Sequence, residues 1–214
     1  MSADWREIGR SAQTVAVCVV ALAVMLPCAP VTAEIIITPN DELGGVGSLN
    51  SWSYVVDGMS IQLFEDWGGF APIAFTISDD GYPAPDNPFS GGTLIDITKS
   101  LLNSTNFDWT AFHIDLFPGD GSDGITVDPA SVGSDRFSNI EVMNNDDGSA
   151  SIWFFTDKGQ GDTPVLIGES VMMSFNMTIF GAISFTMIQT PVPTPGALAL
   201  LGLAGAVSRR RRRN

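Results

Sequence analysis

A chain of 214 residues with 44% hydrophobic residues, 22 glycines and 13 prolines can bury one good core, and its low charge content favours short strands joined by tight turns. The net charge of -14 is unevenly spread: five of the ten basic residues form the run 209–213, Arg6 and Arg10 precede the first apolar stretch, and Lys99, Arg136 and Lys158 alone lie between. So acidic a middle repels nucleic acid, and because both cysteines, Cys18 and Cys28, fall in the N-terminal apolar segment, a chain without that segment has no disulfide, thiol nucleophile or cysteine-held metal.

Residues 15–26 (VAVCVVALAVML) are uncharged and apolar, follow Arg6 and Arg10, and lead through Pro27 to Pro30-Val31-Thr32-Ala33. A positive region, an apolar region too short to span a bilayer and a small-residue site, in that order, describe a secretory signal peptide rather than a buried N-terminal helix. Cleavage is expected after Ala33, with Val31 and Ala33 as the residues the peptidase accepts. Residues 1–33 are then removed, and the secretion machinery and signal peptidase are the first partners. Cys28 does not make this a lipoprotein signal, because Pro27 occupies a position that requires a small residue such as Gly or Ala.

From Glu34 to Thr190 the apolar residues recur mainly with period two. Phe112, Ile114 and Leu116 alternate with Ala111, His113 and Asp115, and Val171, Met173, Phe175, Met177 and Ile179 alternate with more polar neighbours. Such alternation predicts strands with one face in a core. Further strands are expected at 35–37, 51–56, 60–64, 73–78, 93–101, 136–143, 149–155 and 183–189. Asp57-Gly58 and Asp147-Gly148 are hairpin signals between neighbouring strands. About ten short strands and no sustained helical period predict an all-β fold, a single β-sandwich of jelly-roll or immunoglobulin-like kind over 34–190. The stretch 81–92 reads as a long loop, and 190–195 as a linker.

The chemistry of this middle domain is sparse. His113 is the sole histidine, and no Gly-x-Ser-x-Gly or Ser-x-x-Lys arrangement accompanies it, so neither a catalytic triad nor a histidine-held zinc is expected and no catalytic residue is assigned. A carboxylate pair acting on a glycoside is the remaining enzymatic alternative. Two acidic loops offer oxygen ligands to calcium: Asp120, Ser122 and Asp123 with Asp128 nearby, and the run 144–148. Their spacing does not fit the Asp-x-Asp-x-Asp-Gly loop with its distal Glu, and solvent-facing turns prefer the same residues, so no cofactor is expected and calcium is a candidate to test. Of the tryptophans, Trp67 lies between acids and glycines in Glu65-Asp66-Trp67-Gly68-Gly69-Phe70, which suggests a loop whose indole stacks on a sugar ring. Polysaccharide is thus a candidate ligand.

At the C-terminus Pro191-Val192-Pro193-Thr194-Pro195-Gly196 leads into the apolar residues 197–207 (ALALLGLAGAV), and Arg209, Arg210, Arg211, Arg212 and Arg213 follow. This three-part tail, 191–214, resembles the PEP-CTERM sorting domain of Gram-negative bacteria, in which a Val-Pro-x-Pro-like motif precedes a short transmembrane stretch and a terminal arginine cluster. Val192, Pro193, Pro195 and Gly196 match that motif, and Thr194 stands where the family usually has Glu. The resemblance implies export, retention in the membrane by the tail and recognition by an exosortase, a membrane transpeptidase-like enzyme. Electrostatics agrees, because five arginines cross a bilayer with difficulty and hold the C-terminus on the cytoplasmic side. Eleven apolar residues at ~1.5 Å each fall short of the ~30 Å hydrocarbon core, so bilayer thinning and snorkelling arginines must supply the rest. The combined expectation is a non-catalytic protein of the cell envelope or extracellular matrix, membrane-anchored or released after sorting, or a carbohydrate-binding module sent to the same place.

Overall fold

The structure, a computed structural model, describes residues 35–79, 92–156 and 163–194. The expected signal segment with Val31 and Ala33, most of the expected 81–92 loop, and Pro195, Gly196, 197–207 and Arg209–Arg213 of the tail lie outside these residues.

Among the described residues the chain forms twelve strands: β1 (Ile35–Pro39), β2 (Leu49–Asp57), β3 (Ser60–Trp67), β4 (Ile73–Asp79), β5 (Thr93–Asn103), β6 (Trp109–Pro118), β7 (Ser122–Val127), β8 (Gly133–Ser134), β9 (Asn139–Asn144), β10 (Ala150–Phe155), β11 (Ser170–Gly181) and β12 (Ser184–Pro193). Two 3-10 turns, Asp41–Leu43 and Pro129–Ser131, are the helical elements among the described residues. One sheet has the order β1-β4-β12-β6-β10-β9, and the other β2-β3-β5-β11-β7 with β8 also paired to β11. Pairing is antiparallel except between β3 and β5, where Leu63 lies opposite Lys99 and Glu65 opposite Leu101 in a parallel register. No helix among the described residues is long and apolar enough to cross a membrane.

The sheets face each other across one core. Ile61, Leu63 and Trp67 of β3, Ile95, Ile97 and Leu101 of β5 and Met173, Phe175 and Met177 of β11 meet Phe75 of β4, Phe112 and Ile114 of β6, Phe154 of β10 and Phe185 and Met187 of β12. Each such side chain, taken out of water, contributes roughly 1.5–3 kcal/mol, which is why strict period two along β3, β5, β11 and β12 is enough to fix which face turns inward. The all-β, two-sheet expectation therefore holds, and the expected strands appear, mostly with longer bounds.

Three expectations need correction. Residues 122–124, read as part of an acidic loop, belong to β7, because Ile125 and Val127 point into the core and the strand pairs with β11 through Ile179↔Ile125 and Met177↔Val127. The stretch before Asn139 belongs to a bend and not to the strand expected from 136. The supposed linker from 190 is strand: Thr190, Pro191, Val192 and Pro193 continue β12 opposite His113, Phe112, Ala111 and Trp109 of β6. Pairing between β12 and β4 stops at Gln189, so Pro191 and Pro193 occupy a stretch with a neighbour on one side, where a residue without N–H is tolerated. The folded domain thus runs past 190 to Thr194, whose N–H donates to the Asp108 carbonyl (3.0 Å).

Candidate functional site

Trp67 is not on a loop. It is the last residue of β3, in phase with Ile61, Leu63 and Glu65, and it is 0% exposed. Its ring meets Trp109 (6.1 Å, 81°) and Phe112 (5.6 Å, 88°) of the opposite sheet edge-on, while Gly68 and Gly69 donate to the Ser48 carbonyl (2.9 Å each) and turn the chain only after it. No sugar ring can stack on Trp67 in this fold. Period two counted from Ile61 would have placed it inward.

What Trp67 does instead is hold a carboxylate. Its Nε1 donates to Glu65 Oε2 (3.0 Å), two residues back on the same face. The other oxygen, Oε1, accepts from Lys99 Nζ of β5 and from Gln189 Nε2 of β12 (3.3 Å). Lys99 and Gln189 are fully buried and Glu65 is 3% exposed, so a lysine, a carboxylate and a carboxamide from both sheets meet in the dry interior. Burial pushes the Lys99 amine below its ordinary value of 10.5, a shift that the Glu65 charge opposes and does not cancel. Gln189 Oε1 has no hydrogen-bond partner among the described residues.

The acidic candidates fall on different elements. Asp120, Asp123 and Asp128 are exposed, and Ser122 Oγ donates to the Phe180 carbonyl (3.3 Å). Asp123 is the second residue of β7 and Asp128 follows its last, on the order of 16 Å apart at about 3.3 Å per residue, and Asp128 accepts from Ala130 N–H (3.0 Å) as the cap of the following turn. In the 144–148 loop, the Asn144 amide accepts from Val127 N–H (2.8 Å) and donates to the Val127 carbonyl (3.0 Å), so it acts as a rung between β9 and β7. Asp147 accepts from Ser149 N–H (3.0 Å) and Oγ (2.6 Å), and these hydrogen bonds hold its carboxyl below the usual range. The fold does bring Asp123 beside Asp146 and Asp147 in one cleft. No group of three or more acidic, histidine or cysteine side chains converges as a metal site among the described residues.

His113 faces outward from β6, stacked on Trp153 of β10 (3.8 Å, 20°), with Nε2 3.1 Å from Asp115 Oδ1. Burial lowers its pKa and Asp115 opposes the shift. Trp153 is partly covered by this histidine.

The outer face of the second sheet carries a feature that sequence reasoning missed. Phe64, 43% exposed, stands on β3 opposite Ser53 of β2 and Ser100 of β5. Together with Ser51, Asp66 and Leu102 these residues line an open groove of about 450 Å³. An aromatic face ringed by hydroxyls and one carboxylate is chemistry that suits a sugar. Its signal in the sequence is the out-of-phase Phe64, the large apolar residue on the polar register of β3.

No protein-family model matches the chain, and no curated protein matches it.

Proposed function

We propose that the protein is an exported, non-catalytic component of the cell envelope or extracellular matrix, a β-sandwich of jelly-roll or immunoglobulin-like kind retained or sorted by its C-terminal tail. The observation that carries this reading is the fixed order of motif (Val192, Pro193, Thr194, Pro195, Gly196), apolar segment and arginine cluster at 192–213. The fold supports it by the position of β12, the last strand among the described residues, which ends at Pro193, shortly before the apolar residues that start at 197. The partners are the secretion machinery, a signal peptidase, an exosortase-like enzyme and the membrane, and the reading requires no cofactor. Replacing Arg209–Arg213 by Ser tests it, because a short apolar segment needs a charged stop to fix its position and orientation. The variant should shift from the membrane fraction to the soluble or released fraction. Unchanged retention would reduce the ending to a basic extension.

A second reading, a carbohydrate-binding module delivered to the same place, draws on the groove at Phe64 and no longer on Trp67. Retardation in a polysaccharide-containing gel that Phe64→Ala abolishes would support it. Equal mobility of both chains with and without polysaccharide would remove it.

A further inference from the structure

We propose that Lys99 and Gln189 become joined by an intramolecular isopeptide bond that staples the two sheets together, with Glu65 as the proton carrier. Three observations converge on it. The nucleophile, the acyl donor and the proton carrier are all present, on β5, β12 and β3, and the nitrogens of the first two share one oxygen of the third, Glu65 Oε1. That oxygen is where a carrier must sit to take a proton from one nitrogen and give it to the other. The carboxylate is held from behind by Trp67 Nε1, so it cannot swing away.

The surroundings favour the reaction. Trp67, Trp109 and Phe112, all 0% exposed, enclose this part of the interior and keep out the water that would compete for the carboxamide carbon. The same burial favours the uncharged, nucleophilic form of the Lys99 amine. Stability alone does not explain the group: a buried ion pair is no more stabilising than apolar residues of similar volume, and here it comes with a carboxamide whose Oε1 has no partner among the described residues. Condensation leaves no charge in the core.

The step balances without oxidant, reductant or added reagent. Glu65 takes a proton from the Lys99 ammonium, and the Nζ lone pair adds to Cδ of Gln189. Glu65 then gives that proton to Nε2 and receives a second one from Nζ. The Cδ–Nε2 bond breaks, its electrons leave with the nitrogen as ammonia, and the carbonyl re-forms. The products are a neutral Lys99–Gln189 amide, a neutral Glu65 carboxyl and one ammonia.

Intact mass of the full chain after export, followed by tryptic mapping under denaturing and reducing conditions, tests this directly. The expected result is a mass lower by one ammonia than the sequence of the same species requires, loss of tryptic cleavage after Lys99, and a branched peptide joining Lys99 to Gln189. Lys99→Met and Glu65→Gln should each restore the full mass, with a β-rich circular dichroism spectrum showing that the variants still fold. A full-mass wild-type chain cleaved normally after Lys99 would overturn the proposal. So would a chain lighter by one water with Lys99 joined to Glu65, because Gln189 would then not be the acyl donor.

Discussion

His113 is half-buried against Trp153, and that position decides its response to pH. Desolvation disfavours the imidazolium, so the folded-state pKa lies below the ordinary 6.5 although Asp115 pulls the other way. The unfolded chain therefore binds more protons as pH falls through 6.5, and the stability present above that pH is lost on the way down to the folded value. The midpoint temperature of the native chain should drop more steeply than that of His113→Gln as the pH falls below 6.5. Parallel curves would show that the histidine does not titrate differently on folding. At this scale the sequence was legible where period two settled the matter, as for His113 on a half-buried strand face. It misled at Trp67, where Gly68 and Gly69 drew attention to a turn that begins one residue later. The meeting of Glu65, Lys99 and Gln189 was not legible at all, because 34 and 124 residues of sequence separation hide it.

Among the elements, β7 and the β9–β10 turn show how a loop-like composition can be structural. β7 pairs with β11 on one side, and on the other it meets the opposite sheet through the two Asn144 hydrogen bonds and through Ile125 N–H to the Gly148 carbonyl (2.8 Å). This seam requires a close backbone approach: Gly148 adopts φ 81, and a Cβ there would come within 3.0 Å of Gly124 Cα. The acids and asparagines of 120–128 and 144–148 thus serve a turn, a cap and a seam between sheets, three uses that residue type does not separate from a calcium loop. Asn144→Ala removes both bonds and leaves the Val127 N–H and carbonyl at a partly buried position without that partner. A loss of about 1–3 kcal/mol in urea unfolding is expected. A change near zero would mean that water replaces the amide without penalty and that the seam is not a source of stability.

For the whole molecule, the alternating runs and the Asp-Gly turns made the two-sheet architecture readable, while the end of the domain was not, because prolines at 191 and 193 look like linker until the one-sided pairing of β12 is known. A domain ending at Thr190 lacks the pairs Pro191↔Phe112, Val192↔Ala111 and Pro193↔Trp109 and the Thr194 N–H to Asp108 bond, so it should unfold at a lower urea midpoint than one ending at Thr194. Identical midpoints would return these residues to the linker.

The same strand links the fold to the proposed sorting motif, since β12 includes Val192 and Pro193 of 192–196. The central claim is that this sandwich is exported and then held at the membrane by its tail. N-terminal sequencing of the protein recovered from the membrane fraction of a Gram-negative host without an exosortase tests it most directly. Membrane-held material is expected to begin Glu34-Ile35-Ile36. A chain that begins at Met1, or a protein cleaved before Glu34 yet absent from the membrane fraction, would contradict it.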